Sequence, residues 1–322
     1  MQKLMKRMIF LILPWVMSSA LAQENRFPSK PIQVIITSTP GSLSDVMARF
    51  YGNEMAKMLG QSTVVISKAN SSGTIGTEFV KRAPADGYTL LVGGSTTMSA
   101  NLFLVKNLTY DPLKDFDPVA QVSINPLVLV VRADLPIKSV TDLIAYAKAR
   151  PGQMNYGVAN AGGRVAVQLL KSITGINAQD ILFAGASQAM QELAGGRLDF
   201  MITDPLVADP FVKQGKLRAL AVTSGVRLAS MPDLPTMMEA GVPGYDYTSF
   251  VGYFAPHGTP KPVIAALNAA FVKVNESEEG KEFFRRMAMI GKASTPEELT
   301  TYQKGQISMW GRLVKEAGME PQ

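Results

Sequence analysis

Short apolar strands alternate with amphipathic helices through most of the chain, and this alternation limits the possible folds more than any other feature. In the first such unit an apolar, β-branched run at 32–38 is followed by Pro40-Gly41, and Ser42 is placed to cap a helix with Asp45 in its first turn. Further strands are predicted at 64–66, 88–92, 127–131, 155–158, 180–183, 198–202 and 219–222. The pattern predicts an α/β fold with largely parallel sheets.

Helices predominate after a strand-like segment at 247–254. They are predicted at 261–274, 278–290 and 296–317. The last one places Trp310, Leu313 and Val314 at helical spacing, which predicts a buried stripe of core side chains and not a ligand site.

Length and composition exclude several classes of protein. With 322 residues the chain is expected to form about two domains, and 47% hydrophobic with 18% charged residues is typical of a globular protein. There is no cysteine, which excludes disulfides, thiolate metal sites and a cysteine nucleophile. The single histidine, His257, leaves little room for a histidine-rich metal site or a Ser-His-Asp triad.

The first 22 residues have the features of a secretory signal peptide. Lys3, Lys6 and Arg7 precede an apolar run at 8–17, and the small residues Ala20 and Ala22 predict cleavage before Gln23. Cleavage would leave 300 residues, lower the formal net charge from +6 to +3 and place the protein in a periplasm. The alternative is a retained N-terminal anchor. The mature chain shows no basic stripe interleaved with aromatics, so nucleic acid is not an expected partner.

Several apolar strands end in turns rich in glycine and hydroxyl residues, each of which starts a helix. In an open α/β sheet such turns line the crevice where ligands bind, and the N-termini of their helices favour an anion. The alternative is that these are ordinary turns that bind nothing. The four turns are Thr39-Pro40-Gly41-Ser42, Gly94-Ser95-Thr96-Thr97, Asn160-Ala161-Gly162-Gly163 and Gly185-Ala186-Ser187.

Motifs for nucleotide binding and for acid–base catalysis are missing. The turn at 73–76 lacks the Gly-Lys-Ser/Thr ending of a P-loop, and no turn reads G-x-G-x-x-G. His257, between Pro256 and Gly258, is expected to be a loop histidine held by local bonds. Asp204, before Pro205, either contacts a ligand or caps the following helix, and both readings stay open. No cofactor, no metal and no enzymatic activity are expected.

The assembled motifs resemble those of the Bug family of extracytoplasmic solute receptors, the substrate-binding components of tripartite tricarboxylate transporters. The similarity runs from Phe27 to the C-terminus. The most specific stretches are 73–78 (GTIGTE), 83–91 (APADGYTLL), 110–116 (YDPLKDF), 215–224 (GKLRALAVTS), 234–244 (LPTMMEAGVPG) and 255–260 (APHGTP).

This resemblance implies a type II-like periplasmic-binding-protein fold, with two α/β domains and a ligand cleft between them. By analogy the first domain comprises residues 23–124 with 245–322, and the second comprises 125–244. The family generally holds a ligand carboxylate at the turn after the first strand. That turn usually reads Pro-Ala-Gly-Gly, whereas here it reads Thr39-Pro40-Gly41-Ser42 with Asp45 retained.

Two other turns depart from the family pattern. Gly162-Gly163-Arg164-Val165-Ala166 stands where the family often has Gly-Ser-Ser-x-His, and Thr203 replaces a frequent aspartate before Asp204. We expect Arg164, in the first turn of a helix, to bind a second carboxylate bidentately. The alternative is that it points into solvent or pairs with a surface acid. Phe183 and Phe250, if they flank the cleft, would favour an aromatic dicarboxylate.

The resemblance therefore implies a monomeric periplasmic receptor that closes on a small organic carboxylate and delivers it to membrane transporter subunits. The ligand is expected to be a dicarboxylate. The alternative, an exported hydrolase acting on a small carboxylate ester, is disfavoured by the lone histidine and the missing nucleophile elbow. The expected ligand-binding residues are Thr39, Gly41, Ser42, Ser95, Thr96, Asn160, Gly162, Arg164, Phe183, Ser187, Thr203, Asp204 and Phe250.

Overall fold

The structure, a computed structural model, describes residues 27–70, 72–183 and 185–321. The predicted signal peptide at 1–22 lies outside the described residues. The part before the first chain crossing contains β1 (Ile32–Ile36), α1 (Leu43–Leu59), β2 (Thr63–Ser67), α2 (Thr74–Lys81), β3 (Thr89–Gly94), a π-helical turn (Thr96–Ala100) that continues into α3 (Asn101–Leu104), and β4 (Phe116–Pro126).

The middle of the chain contains β5 (Val128–Arg132), α4 (Val140–Ala149), β6 (Met154–Val158), α5 (Ala161–Thr174), β7 (Ala178–Leu182), α6 (Ala186–Ala194), β8 (Phe200–Thr203), α7 (Pro205–Lys213) and β9 (Leu217–Val222). The last part contains β10 (Thr248–Pro256), α8 (Lys261–Glu276), α9 (Glu278–Arg286), β11 (Ile290–Gly291) and α10 (Pro296–Glu316).

These strands form two separate sheets. The first has the order β11-β4-β10-β3-β1-β2 and the second has the order β7-β6-β8-β5-β9. In the first sheet β1 is parallel to β2 and β3, and in the second β6 is parallel to β7 and β8. The α/β class is therefore confirmed.

The expectation of largely parallel sheets is wrong, because both sheets are mixed. β10 runs antiparallel to β3 and β4, and β5 runs antiparallel to β8 and β9. The antiparallel strands are mainly those next to the two points where the chain passes from one sheet to the other. A strand that enters a sheet from its partner arrives from the opposite end and so runs against the parallel strands already there.

The two chain crossings lie side by side. The chain leaves the first sheet between β4 and β5 and returns to it before β10, and Thr248 pairs with Pro126 while Ser249 pairs with Asn125. The end of β9 is fastened to both crossings, since Thr223 is hydrogen-bonded to Leu127 and to Tyr247. The crossings therefore form one hydrogen-bonded strip between the two sheets.

The helical C-terminal part packs mainly as predicted. Trp310, Leu313 and Val314 on α10 are buried, which confirms the core stripe. The predicted helix at 278–290 is too long, because α9 ends at Arg286 and Ile290–Gly291 pairs with β4 instead. Ala288 breaks the helix with a φ of 49°. None of the described helices has an apolar stretch of the length that a bilayer crossing requires.

Candidate functional site

A cavity of about 680 Å³ lies at the carboxyl ends of β1 and β3, next to the crossing strands. Hydroxyl and amide side chains dominate its polar wall, and none of the described residues that line it is charged. Its wall comprises Thr37, Ser38, Thr39, Leu43, Ser44, Ala69, Asn70, Ser72, Gly73, Val92, Gly93, Gly94, Ser95, Thr96, Thr97, Asn125, Ser249, Phe250 and Val251.

Three helical segments begin at this wall. Leu43 and Ser44 are the first residues of α1, Gly73 is the N-cap of α2, and Thr96 starts the π-helical turn. The first N–H groups of a helix lack intrahelical acceptors, and the helix dipole places partial positive charge there. A cavity with three such ends and an uncharged lining favours an anion.

The turn before α1 is fixed by bonds among its own residues. Gly41 adopts a φ of 80° and donates its N–H to Asp45 Oδ2 at 2.9 Å. The Ser42 hydroxyl lies 2.7 Å from Ser38 Oγ and accepts from the Asp45 N–H. The Arg49 guanidinium beside Asp45, followed by the Gly41 N–H, lowers the pKa of that carboxyl.

The polar groups of Gly41 and Ser42 that were expected to face a ligand are instead hydrogen-bonded within the turn. Neither residue lines the cavity. Thr39, by contrast, lies on the cavity wall and is exposed.

The turn before α2 is a part of the site that sequence analysis missed. Gly73 has a φ of 73°, and a Cβ built on it would lie 2.7 Å from Thr97 Cγ2 and 3.1 Å from Thr37 Oγ1. Only a residue without a side chain lets the three turns approach so closely. The sequence signal was present in the stretch 73–78, which sequence analysis used as a family motif and compared with a P-loop but did not place at the ligand site.

A buried hydrogen-bond network supports the cavity from behind. Asn101 Nδ2 donates to Ser72 O at 2.8 Å and to the Tyr110 hydroxyl at 2.9 Å, and Tyr110 donates to Thr97 O at 2.7 Å. Burial raises the pKa of Tyr110 to about 12, so the phenol stays a neutral donor at physiological pH. The network links the turns before α2 and α3.

The turn after β3 supplies Ser95 and Thr96, and both line the cavity. Ser95 Oγ accepts the backbone N–H of Phe250 at 3.2 Å, which joins this turn to β10. The Phe250 ring is buried, with its centroid 5.3 Å from that of Tyr302. Phe250 lines the cavity but offers it little aromatic surface, and contact of its ring with a ligand stays a prediction.

The second sheet presents a different set of groups near the crossings. Asn160 caps α5 by accepting the Gly163 N–H at 2.8 Å. A Cβ on Gly162 would lie 3.2 Å from the Tyr247 hydroxyl. Thr203 is buried at the end of β8, and Asp204 follows it. Neighbouring atoms partly remove water from the Asp204 carboxyl and so raise its pKa. The residue as a whole still has solvent-exposed surface.

Arg164 and Phe183 are not brought to the first cavity. Arg164 Nη2 lies 2.9 Å from Asp180 Oδ2, which is the pairing with a surface acid that the sequence left open. Both residues line a second cavity of about 570 Å³, together with Leu182 and Met319. Ser187 is exposed in the first turn of α6 and lines neither cavity.

His257 lies away from the first cavity. Its Nδ1 is 2.9 Å from Asp117 Oδ1, and Asp117 also accepts the N–H groups of Gly258 and Thr259. The carboxylate thus ties the histidine loop together, as local bonds were expected to do. Among the residues described, no cluster of three or more histidine and acidic side chains is arranged to hold a metal ion.

Two mixed α/β sheets, paired chain crossings and an anion-attracting cavity beside them define a class, the two-domain α/β binding proteins. Residues 47–319 match the sequence model of the tripartite tricarboxylate transporter family receptor. The chain belongs to this receptor family.

Similar proteins agree with this assignment. BugT of Bordetella pertussis is 31% identical over 320 residues, which cover 98% of each chain. The structure of R. palustris Rpa4515 with adipate is 31% identical, with a TM-score of 0.78 over 92% of this chain and 100% of the other. MatC from Rhodopseudomonas palustris with bound malate is 30% identical, with a TM-score of 0.72 over 89% and 100%. The family and fold implied by the motifs are confirmed.

Proposed function

We propose that the protein is a periplasmic receptor that binds a small dicarboxylate and delivers it to the membrane subunits of a tripartite tricarboxylate-type transporter. One carboxylate binds in the first cavity, where Thr39, Ser95 and Thr96 supply hydroxyls. The observation that carries the proposal is the convergence of three helical N-termini on an uncharged, hydroxyl-lined wall.

The choice of a dicarboxylate is supported by two relatives of the same family. Rpa4515 has been solved with adipate and MatC with malate, and both ligands carry two carboxylates. The cavity volume of about 680 Å³ lies in the usual range for a small-molecule site.

Closure of two domains around the ligand is the proposed mechanism of capture. The first domain comprises residues 23–124 with 245–322, the second comprises 125–244, and both move about the strip formed by the paired crossings. The ligand shifts the balance toward the closed form only to the extent that it binds that form better. The receptor acts as a monomer, and it holds the carboxylate without chemical change.

A thermal-shift panel tests this function. Purified mature protein is heated with mono-, di- and tricarboxylates and with a carboxylate ester, and a neutral sugar and a divalent cation serve as controls. A ligand at about 100 times its dissociation constant should stabilise the protein by roughly 2.7 kcal/mol. Stabilisation by a dicarboxylate, with the compound recovered unchanged, is expected. A response to the sugar or the cation alone, or conversion of a carboxylate ester to its acid, would contradict the proposal.

A further inference from the structure

We propose that Asp204 receives the second carboxylate of the ligand as a neutral acid, so that ligand capture takes up a proton from solvent. This inference rests on the proposed function, because it requires a dicarboxylate whose first carboxylate occupies the cavity of the first domain. Asp204 is then the residue through which the receptor distinguishes a dicarboxylate from a monocarboxylate, and affinity depends on pH.

The strand register places Asp204 beside the crossing strand that contributes Asn125 to that cavity. Thr203, the residue before it, pairs with Val128 at the start of β5. Asn125, which lines the cavity, precedes Val128 by three residues along the crossing strand. At about 3.3 Å per residue, Asn125 on the cavity wall and Val128 beside the end of β8 are roughly 10 Å apart. A short dicarboxylate whose first carboxylate lies near Asn125 can therefore direct its second towards Asp204 when the domains close.

The Asp204 carboxylate is not engaged elsewhere in the described chain. The residue is the N-cap of α7, but its side chain makes no capping bond. Its carboxylate forms no ion pair and no hydrogen bond with another described residue, whereas its backbone oxygen accepts the N–H groups of Val207 and Ala208 in α7. Asp204 therefore neither caps a helix through its side chain nor forms half of a salt bridge with a described residue. It lies at the carboxyl end of the central strand of its sheet, where it is free to contact a ligand.

The groups around Asp204 favour an incoming anion. Tyr247 is 1% exposed, and its hydroxyl has no partner among the described residues. This hydroxyl lies against the first turn of α5, where a Cβ on Gly162 would approach it to 3.2 Å. Burial is the main cause of the raised pKa of Tyr247, and the negative charge of Asp204 adds to it. A phenol donor and the N-terminus of a 14-residue helix together attract a carboxylate.

An ionised Asp204 would repel that carboxylate, whereas a protonated one donates a hydrogen bond to it. Burial raises the pKa of Asp204, and a hydrogen bond from its own backbone N–H lowers that pKa by less. No cation adds to the lowering, and removal of water on closure would raise the pKa further. Arg164 on α5 is held by Asp180, and Asp246 beside Tyr247 accepts the Gly225 N–H. The titratable or charged groups on the elements around Asp204 include Tyr247, Asp246, Tyr302 and Arg164, and α7 itself carries the ion pair of Asp209 and Lys213.

Proton uptake can be measured directly by calorimetry. Adipate and malate are titrated into the mature protein at one pH in two buffers with different ionisation enthalpies, and the titrations are repeated between pH 6.5 and 8.5. Hexanoate, which has the six carbons of adipate and one carboxylate, serves as the ligand control. We expect net proton uptake with the dicarboxylates, none with hexanoate, and affinity that falls by up to about tenfold per pH unit.

Two variants test whether Asp204 is the group that takes up the proton. Asp204→Asn keeps the shape and an N–H donor, so it should bind the dicarboxylate at pH 8.5 at least as tightly as the wild type, without proton uptake. Asp209→Asn, on the same helix but paired with Lys213, should behave as the wild type.

Wild-type protein that binds a dicarboxylate without proton uptake would overturn the inference and leave the receptor function standing. Proton uptake that persists in Asp204→Asn would also overturn the inference. The same holds if Asp204→Asn keeps its melting temperature but binds the dicarboxylate more than about tenfold more weakly than the wild type. Failure of every carboxylate to bind the wild type would instead overturn the proposed function.

Discussion

Leu127 and Thr223 form a two-way hydrogen-bonded pair at the first chain crossing. The Leu127 N–H donates to Thr223 Oγ1 at 2.8 Å, and the Thr223 N–H donates to Leu127 O at 2.9 Å. Thr223 O also accepts the Tyr247 N–H at 2.9 Å, so one buried threonine holds both crossings. In the closure proposed above, Thr223 lies at the pivot between the two crossings.

Replacement of Thr223 by valine tests that role. The two side chains have similar shape, but valine leaves the buried Leu127 N–H without its acceptor. We expect a loss of about 1–3 kcal/mol in the free energy of unfolding, measured by urea denaturation. Thr301→Val, on the exposed face of α10, should change stability by less than about 0.5 kcal/mol. Equal effects of the two substitutions would show that the crossing does not depend on the Thr223 hydroxyl.

Gly73→Ala should affect both stability and binding, whereas Gly60→Ala should affect stability alone. Both glycines have φ near 70°, so each alanine costs about 1 kcal/mol of backbone strain. A Cβ at Gly73 also meets Thr97 and Thr37 on the cavity wall, while one at Gly60 meets nothing within 4 Å. Matched unfolding and calorimetry measurements on both variants separate the strain from the crowding. Unchanged binding by Gly73→Ala would place the ligand elsewhere.

The sequence predicts some parts of this fold and not others. Strand–helix alternation gave the α/β class, and family motifs gave the binding-protein fold, because both depend on local pattern. β4 was not anticipated, since Asp117, Pro118 and Gln121 interrupt its apolar pattern, and its partners β10 and β11 lie far along the chain. Pairing between distant segments leaves no local signal.

Asp45 should make stability depend on pH through its contact with Arg49. The Arg49 guanidinium and the Gly41 N–H hold the pKa of this carboxyl below its unfolded value. Its contribution is therefore present above about pH 4 and lost as the pH falls through the folded-state pKa. We expect Asp45→Asn to melt below the wild type at pH 7, and the gap to close towards pH 3.

Asp233→Asn is the control for that series, because Asp233 is exposed and makes no ion pair within the described residues. A gap between Asp45→Asn and wild type that stays constant from pH 7 to pH 3 would show that the charge of Asp45 does not stabilise the fold.

Arg164→Gln should leave dicarboxylate affinity within about twofold of the wild type. The guanidinium is already paired with Asp180 at 2.9 Å and lines the second cavity, not the first. Because the pair is partly exposed, its loss should cost no more than about 1 kcal/mol of stability. Calorimetry with adipate and hexanoate decides the matter. A loss of tenfold or more for adipate alone would restore Arg164 as the partner of the second carboxylate.

Site residues were harder to anticipate than the fold. Thr39, Ser95 and Thr96 follow strands whose carboxyl ends meet at one edge, so their place at the cavity could be inferred. Arg164 and Gly41 could not be placed, because the residues that satisfy them, Asp180 and Asp45, depend on side-chain geometry within the folded chain. A polar residue in a turn reveals its chemistry but not its partner.

The most direct test of the account is a comparison of Thr39→Asn with Thr39→Asp. Thr39 is exposed on the cavity wall, and the two replacements have the same shape but differ by one negative charge. If the cavity binds a carboxylate, Thr39→Asp should bind the dicarboxylate found by the thermal-shift panel at least about tenfold more weakly than Thr39→Asn, because two like charges then share the site. Equal affinities of the two variants, measured by calorimetry, would contradict binding of the anion in this cavity.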